Sequence, residues 1–337
     1  MGDNMKKVLV VGATGAMGKY LVPELVSLGY KVVGLTIDDV VSNDENVLYV
    51  KGNAMDKAFL EKVLEEKFDG VVDFMTYSMA NFYDFIELYL KNTQHYIFLS
   101  SCRVFADKEV PVKETSPKLI DCSEDERLLN SQDYCIYKAK QERYLVNSNY
   151  NNWTIVRPAT TYGTMRLQLV TLEFINTVAR ALENKKVVVP IQAKDKPATL
   201  SWGGDVAKMI ARIMFKEKAK REDYNVCSAE SKTWGKIADC YKELVNLEAV
   251  WVDKEDYLAI IDPEISDWCR WQLEYARMFR RISDNSKILE LTGLKQEELM
   301  PLKEGLKMEI RNIPQGYIPP KNPIGERMDE YLKRKGL

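Results

Sequence analysis

The sequence predicts an α/β protein with a doubly wound parallel sheet and a smaller C-terminal lobe. Three observations lead to this prediction. An apolar strand near the start of the chain turns through three closely spaced glycines into a helix. Strand and helix patterns then alternate over the first half, which is typical of a parallel sheet covered on both faces. Past Pro158 the regular alternation stops, and a later region is rich in Trp and Tyr.

The alternating patterns place strands and helices in a regular order. Strands are predicted over 7–11, 31–36, 47–51, 70–74, 96–100 and 153–157, and helices over 19–28, 57–67, 83–91 and 134–147. The polar segment 106–133 is interpreted as a long loop over the carboxyl edge of the sheet, where active-site loops of such folds lie. In the second half we predict helices over 167–184, 205–217 and 233–245, and strands over 186–190 and 224–226.

These elements divide the chain into a nucleotide-binding part and a lobe. We predict a Rossmann-type domain over 1–163 with a return segment near 199–226. Segments 164–198 and 227–312 are expected to form a substrate-binding lobe. Residues 313–337 contain several prolines and end in charged residues, which predicts an extended tail followed by a short helix.

Composition narrows the classes of function. The 337 residues are 46% hydrophobic and 29% charged, with a net charge of −2, so no electrostatic footprint for nucleic acid or an anionic membrane is expected. No apolar run reaches the roughly 18 residues of a membrane span. Six cysteines without a Cys-x-x-Cys pair predict reduced thiols and a cytoplasmic location. With one histidine, His95, expected to be structural, we predict neither a metal site nor a Ser-His-Asp triad.

The glycine-rich turn predicts a dinucleotide site, with a plain strand–turn–helix as the alternative. Closely spaced glycines let the backbone approach a pyrophosphate, and the helix that follows offers unpaired N–H groups and a positive dipole end. That helix is indicated by apolar residues three to four positions apart between Tyr20 and Val26. The candidate contacts in this turn are Gly12, Thr14, Gly15, Ala16, Met17 and Gly18.

Three polar residues form a candidate catalytic set. Tyr134 and Lys138 are four residues apart on a predicted helix and therefore share one face. A lysine so placed can lower the pKa of a phenol, which suits the phenol to general acid or base catalysis at a hydroxyl or carbonyl. Ser101 follows the fifth predicted strand, at the edge that faces the ligand crevice, and can donate a hydrogen bond to a substrate oxygen.

Together these motifs resemble the extended short-chain dehydrogenase/reductase family, the epimerase/dehydratase type. The Gly-x-x-Gly-x-x-Gly spacing fits that family, its Ser/Thr falls on Ser101, and its Tyr-x-x-x-Lys falls on Tyr134 and Lys138. Its Arg-Pro-x-x-x-Tyr-Gly falls on 157–163. The resemblance implies that Tyr134 is the acid/base, that Lys138 also holds the nicotinamide ribose, and that Ser101 steadies the substrate.

The resemblance also implies further contacts and partners. Besides the glycine turn, Tyr134 and Lys138, the cofactor contacts would be Thr36, Asn53, Ala54, Phe74, Met75, Pro158 and Ala159. Besides Ser101, the substrate contacts would be Thr76, Ser100, Thr160, Tyr162 and Trp202. The substrate would be a small molecule of the sugar-nucleotide class. Folds of this type often pair through two helices, so we expect a homodimer formed by helices 83–91 and 134–147.

Departures from the family pattern are informative. The second strand ends in Thr36 and not in the usual Asp, so NAD is expected with NADP left open, and Asp38 or Asp39 could substitute. Cys102 and Arg103 replace the Asp-Glu pair with which the dehydratases remove water, which argues against dehydration. Ala198 replaces the Arg expected to grip a diphosphate.

Three functions remain, and the sequence does not name the substrate. The first is an NAD(P)-dependent epimerase that acts on a nucleotide sugar by transient oxidation. The second is an NAD(P)H-dependent carbonyl reductase or dehydrogenase with the same fold. The third is a non-enzymatic dinucleotide sensor or RNA-binding protein, against which the intact set of Ser101, Tyr134 and Lys138 argues.

Overall fold

The computed structural model describes residues 5–337, so residues 1–4 of the predicted nucleotide-binding domain lie outside the described part. The strands are β1 Lys7–Val11, β2 Lys31–Thr36, β3 Val47–Lys51, β4 Phe68–Asp73, β5 Thr93–Leu99, β6 Trp153–Arg157, β7 Thr160–Tyr162, β8 Val187–Pro190, β9 Pro197–Trp202, β10 Glu222–Asn225, β11 Ser231–Thr233 and β12 Ala249–Val252. The helices are α1 Gly18–Ser27, α2 Lys57–Leu64, α3 Met79–Asn92, α4 Leu119–Cys122, α5 Glu126–Leu129, α6 Tyr134–Asn147, α7 Val178–Leu182, α8 Gly203–Ile213, α9 Trp234–Val245, α10 Lys254–Ile261, α11 Asp267–Gln272, α12 Ser286–Thr292, α13 Leu302–Arg311 and α14 Pro323–Lys335.

A seven-stranded parallel sheet forms the centre of the predicted nucleotide-binding domain. Its order is β10-β6-β5-β4-β1-β2-β3, and every neighbouring pair is parallel. The order reverses between β1 and β4, which opens a crevice at the carboxyl ends of these strands. The predicted doubly wound Rossmann-type α/β fold is confirmed.

The inner strands of the sheet are buried on both faces, which explains their apolar runs, whereas the edge strands β3 and β10 are partly exposed. Residues 8–11 of β1 are fully buried. On one face Val8 and Val10 pack in the same cluster as Leu21 and Leu25 of α1. On the other face α2 and α3 pack against the sheet, with Leu60 and Phe82 buried. The two layers therefore fix the carboxyl edge of the sheet as a rigid platform.

The lobe has its own small sheets and core. Strands β11, β9 and β7 form one sheet, and β12 pairs with β8 in another. Its core extends to α14 at the end of the chain, where Met328, Tyr331 and Leu332 are buried. The segment near 199–226 was predicted to return to the nucleotide-binding domain. Only its strand β10 joins the large sheet, whereas β9 lies in the three-stranded sheet with β7.

One predicted helix, over 167–184, is wrong. The structure contains there the short α7 and a 3-10 turn over Phe174–Asn176, preceded by an irregular segment in which Leu169 and Leu172 pair with each other. Val170 has φ of 56° and interrupts any helix at that point. Leu167, Leu169 and Leu172 are buried in the lobe core, so their apolar spacing reflects burial and not a helical face.

Other differences concern element ends and the long loop. Strand β5 begins at Thr93, α3 begins at Met79, and α2 ends at Leu64, each displaced by a few residues from the sequence boundaries. The predicted loop 106–133 contains the single-turn helices α4 and α5. No helix within residues 5–337 is long and apolar enough to cross a membrane.

Candidate active site

The glycine turn joins β1 to α1 and leaves backbone N–H groups free. Gly12 has φ of 81°, a conformation that favours glycine, and its N–H donates to the Leu35 carbonyl at 3.0 Å. A Cβ at Gly18 would collide with the backbone of Gly12 and Ala13. Within residues 5–337, the N–H groups of Ala16 and Met17 have no acceptor. The turn therefore fits a pyrophosphate at the start of α1.

A carboxylate lies beside the glycine turn although β2 ends in Thr36. The Thr14 hydroxyl donates to Oδ2 of Asp38 at 2.6 Å and lies 2.6 Å from the Thr36 hydroxyl. Thr36 is buried and Asp38 is exposed, so the carboxylate is held toward solvent at the carboxyl edge. The Gly52 N–H just after β3 donates to the Thr36 carbonyl at 2.8 Å. This hydrogen bond holds the following residues, Asn53 and Ala54, near Thr36. An exposed carboxylate here fits an unphosphorylated adenosine ribose.

Ser101 and Tyr134, two of the three predicted catalytic residues, line a crevice of about 380 Å³ at the carboxyl edge of the sheet. From the chain before residue 163 the lining residues are Met17, Phe74, Thr76, Leu99, Ser100, Ser101, Cys102, Arg103, Tyr134, Pro158, Ala159, Thr160 and Thr161. From the lobe side they are Arg166, Gln168, Glu173, Gln272 and Arg277. The crevice thus brings the end of the glycine turn, the predicted acid/base and residues of the lobe together.

Tyr134 is held at the first position of α6. Asp133 caps that helix by accepting from the Cys135 N–H at 3.0 Å, and it also binds Arg103 at 3.1 Å. Burial raises the pKa of the Tyr134 phenol, while the Arg103 guanidinium and the Ser101 hydroxyl act in the opposite direction. The guanidinium of Arg103 lies 5.4 Å from the centre of the Tyr134 ring. Burial therefore favours the neutral phenol, while the adjacent guanidinium stabilises the phenolate that base catalysis requires.

Lys138 lies beneath the crevice and is fully buried. Its Nζ donates to the Leu99 carbonyl at 2.7 Å and lies 6.0 Å from the centre of the Tyr134 ring. Burial lowers the pKa of Lys138 to about 8, and the Asp73 and Glu142 carboxylates oppose that shift. Among the cations near Tyr134, Arg103 lowers the phenol pKa most, although the sequence directed attention to Lys138.

Asp73 ends β4 below the predicted cofactor contacts Phe74 and Met75. Its carboxylate accepts from the Tyr96 hydroxyl at 2.8 Å and from the Met75 N–H at 2.9 Å. Burial raises the pKa of Asp73 to about 6 against these hydrogen bonds and the charge of Lys138. The hydrogen bond to Met75 fixes the backbone that leads from Phe74 into the crevice.

The geometry agrees with a sequence match. Residues 8–227, more than half of the chain, match the NAD dependent epimerase/dehydratase family. The protein belongs to this family. It is an NAD-dependent enzyme of the extended short-chain dehydrogenase/reductase type, and the non-enzymatic alternative is set aside. No curated protein sequence matched the chain.

Solved structures of epimerases share this fold. An epimerase from Methanothermobacter thermautotrophicus superposes with a TM-score of 0.71 at 16% identity, covering 98% of this chain and 95% of that one. A UDP-glucose 4-epimerase of Thermus thermophilus in complex with NAD gives 0.67 at 16% identity, with 92% and 100% covered. A UDP-glucose 4-epimerase of Thermotoga maritima with UDP-glucose gives 0.65 at 18% identity, with 90% and 97% covered.

Two predicted substrate contacts of this family member lie outside the crevice. Tyr162 is 1% exposed and packs beneath Gly305, where a side chain on the glycine would collide with the Tyr162 hydroxyl. Trp202 donates through Nε1 to Glu309 at 2.7 Å, and its ring packs edge-on against Tyr20 of α1. Both residues join the lobe to the nucleotide-binding domain and do not line the crevice as the structure describes it.

Ser100 reaches the crevice but its hydroxyl is directed elsewhere. It donates to Glu142, a fully buried carboxylate that also binds Arg157 through Nε at 2.7 Å and Nη2 at 2.9 Å. Lys118 completes the cluster at 2.7 Å from Glu142. Ser100 and the Arg157 of the Arg-Pro motif thus anchor α6, which carries Tyr134, to β5 and β6.

The sequence alone does not identify the lobe residues that line the crevice. Arg166, Gln168, Glu173 and Arg277 were not singled out, and Thr160 is held by Nη1 of Arg277 at 2.8 Å. Arg103 could have been identified from the sequence, because it occupies a position where the dehydratases of the family have an acidic residue. The residues 5–337 contain no cluster of three His, Cys, Asp or Glu side chains that could hold a metal.

Proposed function

We propose that the protein is an epimerase that inverts a hydroxyl-bearing carbon of a nucleotide sugar by transient oxidation. The observation that carries the proposal is the placement of Tyr134 and Ser101 in one crevice with the end of the glycine turn. An acid/base, a hydrogen-bond donor and a dinucleotide site then meet at one point. The finer assignment to a nucleotide sugar is supported by neighbours whose names include UDP-glucose 4-epimerase.

Different residues of the chain would hold different parts of the dinucleotide. The N–H groups of Ala16 and Met17 would hold the pyrophosphate, and Asp38 would accept hydrogen bonds from the adenosine ribose. Phe74, Pro158 and Ala159 line the crevice between that end and Tyr134. When bound, NAD supplies a nicotinamide that accepts a hydride and returns it.

Tyr134 would move the proton of the reacting hydroxyl. Its phenolate takes that proton as the carbon loses a hydride, and its phenol gives the proton back when the carbonyl is reduced. Ser101 would donate a hydrogen bond to the same oxygen, and the adjacent Arg103 stabilises the phenolate. Inversion follows when the planar carbonyl presents its opposite face before the hydride returns.

Elimination of water is disfavoured by the same residues. Dehydration requires a base for a carbon-bound proton and an acid for the leaving hydroxyl next to the oxidised carbon. Cys102 and Arg103 line the crevice where the dehydratases carry two acids, and a guanidinium serves neither role at neutral pH. The cyclic oxidation and reduction of an epimerase needs no such pair.

Proton NMR in D₂O tests the proposed reaction. The NAD-loaded protein would be incubated with a panel of UDP-, GDP- and dTDP-linked hexoses and hexuronates. Transient oxidation predicts an inverted product with no deuterium on the inverted carbon, because the hydride never exchanges with solvent. Deuterium at that carbon would indicate proton abstraction instead. Net consumption of added NADH without inversion would favour the reductase alternative.

We further propose a homodimer that forms through α3 and α6 in the cytoplasm. These helices flank an open groove of about 700 Å³, and Tyr83 and Val146 on them are 46% and 51% exposed. All six cysteines are free thiols, which suits a reducing compartment. Light scattering should give twice the monomer mass of 38.8 kDa, and Val146→Glu should shift the protein toward monomer.

A further inference from the structure

Three arginines converge on the crevice around Tyr134. Arg103 follows β5, Arg166 lies in the irregular segment after β7, and Arg277 ends a π-helical turn over Leu273–Arg277. They come from distant parts of the chain and are all partly buried. The charges of Arg103 and Arg166 both act on the Tyr134 phenol, which places two guanidiniums close to the reacting centre.

The positive charge of this arginine cluster, Arg103, Arg166 and Arg277, is incompletely balanced within residues 5–337. Arg103 binds Asp133 at 3.1 Å, whereas Arg166 and Arg277 make no salt bridge. The only acidic residue among those that line the crevice is Glu173, which is exposed and accepts from Gln168. Three cations therefore face two carboxylates.

The arginines also retain unused donors. The Nε atoms of Arg103 and Arg277 are buried and have no hydrogen-bond partner within the described chain. Burial and the neighbouring arginines lower the pKa of Arg277, so the three like charges repel one another in the absence of a counter-charge. An anion in the crevice would satisfy the orphaned donors and relieve that repulsion.

We propose that the crevice binds a carboxylate carried by the sugar that reacts at Tyr134, through Arg166, Arg277 and Arg103. The proposed function places a sugar at Tyr134, and this inference rests on it and specifies that sugar as an acidic one. A guanidinium fork matches the planar geometry of a carboxylate. A nucleotide diphosphate is the other source of an anion. We favour the carboxylate because Arg103 stacks on the ring of the acid/base and lies at the reacting end of the crevice.

Calorimetric binding to the NAD-loaded protein separates the two sources. The probes are UDP, UDP-glucose and UDP-glucuronate, together with glucose 1-phosphate and glucuronate 1-phosphate, which lack a base. We expect each glucuronate to bind at least about tenfold more tightly than its glucose counterpart, the effect of one charge-assisted hydrogen bond. Equal affinity within both pairs would overturn the proposal and assign the arginines to the diphosphate.

Arg166→Gln is the sharpest variant, because the Arg166 side chain makes no hydrogen bond or salt bridge within residues 5–337. It should reduce the affinity for UDP-glucuronate at least about tenfold more than the affinity for UDP-glucose. Arg166→Lys keeps the charge and should retain part of the preference. Arg127→Gln removes a 78% exposed guanidinium outside the crevice and is the matched control. Equal loss for UDP-glucose and UDP-glucuronate in Arg166→Gln would contradict the proposal.

These binding measurements do not depend on turnover. The preference for an acidic sugar can fail while Tyr134 still catalyses inversion of a neutral one. Conversely, binding of glucuronate through the arginines can hold while the deuterium experiment rejects transient oxidation. The failures of the two proposals are therefore distinguishable.

Discussion

The guanidinium of Arg103 lies 5.4 Å from the centre of the Tyr134 ring and is fixed there by Asp133. This contact joins the turn that follows β5 to the first turn of α6. It supplies a positive charge to the phenol that the Tyr-x-x-x-Lys spacing alone would assign to Lys138. A residue outside the family's motif therefore opposes most strongly the effect of burial on the pKa of the proposed acid/base.

Arg103→Gln should move the pH profile of turnover to higher pH. The Arg103 charge lowers the pKa of Tyr134, so its removal leaves burial less opposed and raises that pKa further. The measurement is kcat against pH for the wild type, Arg103→Gln and Arg103→Lys. The lysine variant should restore part of the shift. An unchanged profile in Arg103→Gln would show that the guanidinium does not act on the phenol.

Asp38→Ala should weaken NAD binding by about tenfold, the typical effect of losing one hydrogen bond to a charged group. It should also narrow the preference for NAD over NADP, because the carboxylate beside Thr14 repels a 2′-phosphate. Asp39→Ala is the matched control, since Asp39 is exposed and pairs with Lys51 at 3.1 Å. Fluorescence titration with both dinucleotides measures the effect. Equal losses in the two variants would exclude a specific role for Asp38.

His95 should make stability depend on pH. It is buried, accepts from the Phe215 N–H at 2.9 Å and bonds the Thr154 hydroxyl at 2.8 Å. Burial, with a smaller effect of Lys220, lowers the pKa of His95 from 6.5 to about 4. The unfolded chain therefore takes up the proton first as the pH falls. The buried neutral imidazole therefore contributes about 3 kcal/mol to the free energy of unfolding above about pH 6.5. This contribution is lost as the pH falls toward 4.

Urea unfolding of the wild type and His95→Gln between pH 7.5 and 4 checks this expectation. The carboxyl groups that titrate in both proteins cancel in the difference between their free energies of unfolding. As the pH falls from about 6.5 to 4, the free energy of unfolding of the wild type should decrease relative to that of the variant. A constant difference would indicate that His95 titrates alike in the folded and unfolded chains.

Glu142→Gln should destabilise the fold by about 3–5 kcal/mol, because it leaves the fully buried Arg157 with an incomplete partner. Burial alone would raise the pKa of Glu142, but Arg157 and Lys118 lower that pKa to about 2. The pair therefore stays charged over the ordinary pH range. Glu243→Gln breaks an exposed pair with Lys303 and should leave the free energy of unfolding nearly unchanged, because solvent screens that pair. Chemical denaturation compares the two variants, and equal effects would contradict the account.

Much of the fold was predictable because local signals and tertiary structure agree. Most strands from Lys7 to Arg157 are buried runs rich in apolar residues between turn residues, and each joins the predicted parallel sheet, with β3 partly exposed at its edge. The segment 167–184 shows the limit. Leu167, Leu169 and Leu172 are apolar because the lobe core covers them, and the positive φ of Val170 has no signature in that spacing.

The site was predictable where one strand end or one helix turn carries it. Ser101 and Tyr134 line the crevice as expected from strand order and helix position. Arg166 and Arg277 could not be identified, because only the folding of the lobe brings them beside Tyr134. Trp202 followed a family position, yet its indole is bound to Glu309, a residue of α13 that local sequence does not connect to β9.

The turnover of Tyr134→Phe tests the central claim, that this phenol is the acid/base of the reaction. The variant should retain NAD, seen by mass spectrometry of the native protein, and lose inversion by about 100-fold to 10,000-fold. Tyr137→Phe is the matched control, because its ring lies 5.4 Å from that of Tyr134 but does not line the crevice. It should keep near wild-type turnover. Wild-type turnover in Tyr134→Phe would contradict the proposed mechanism.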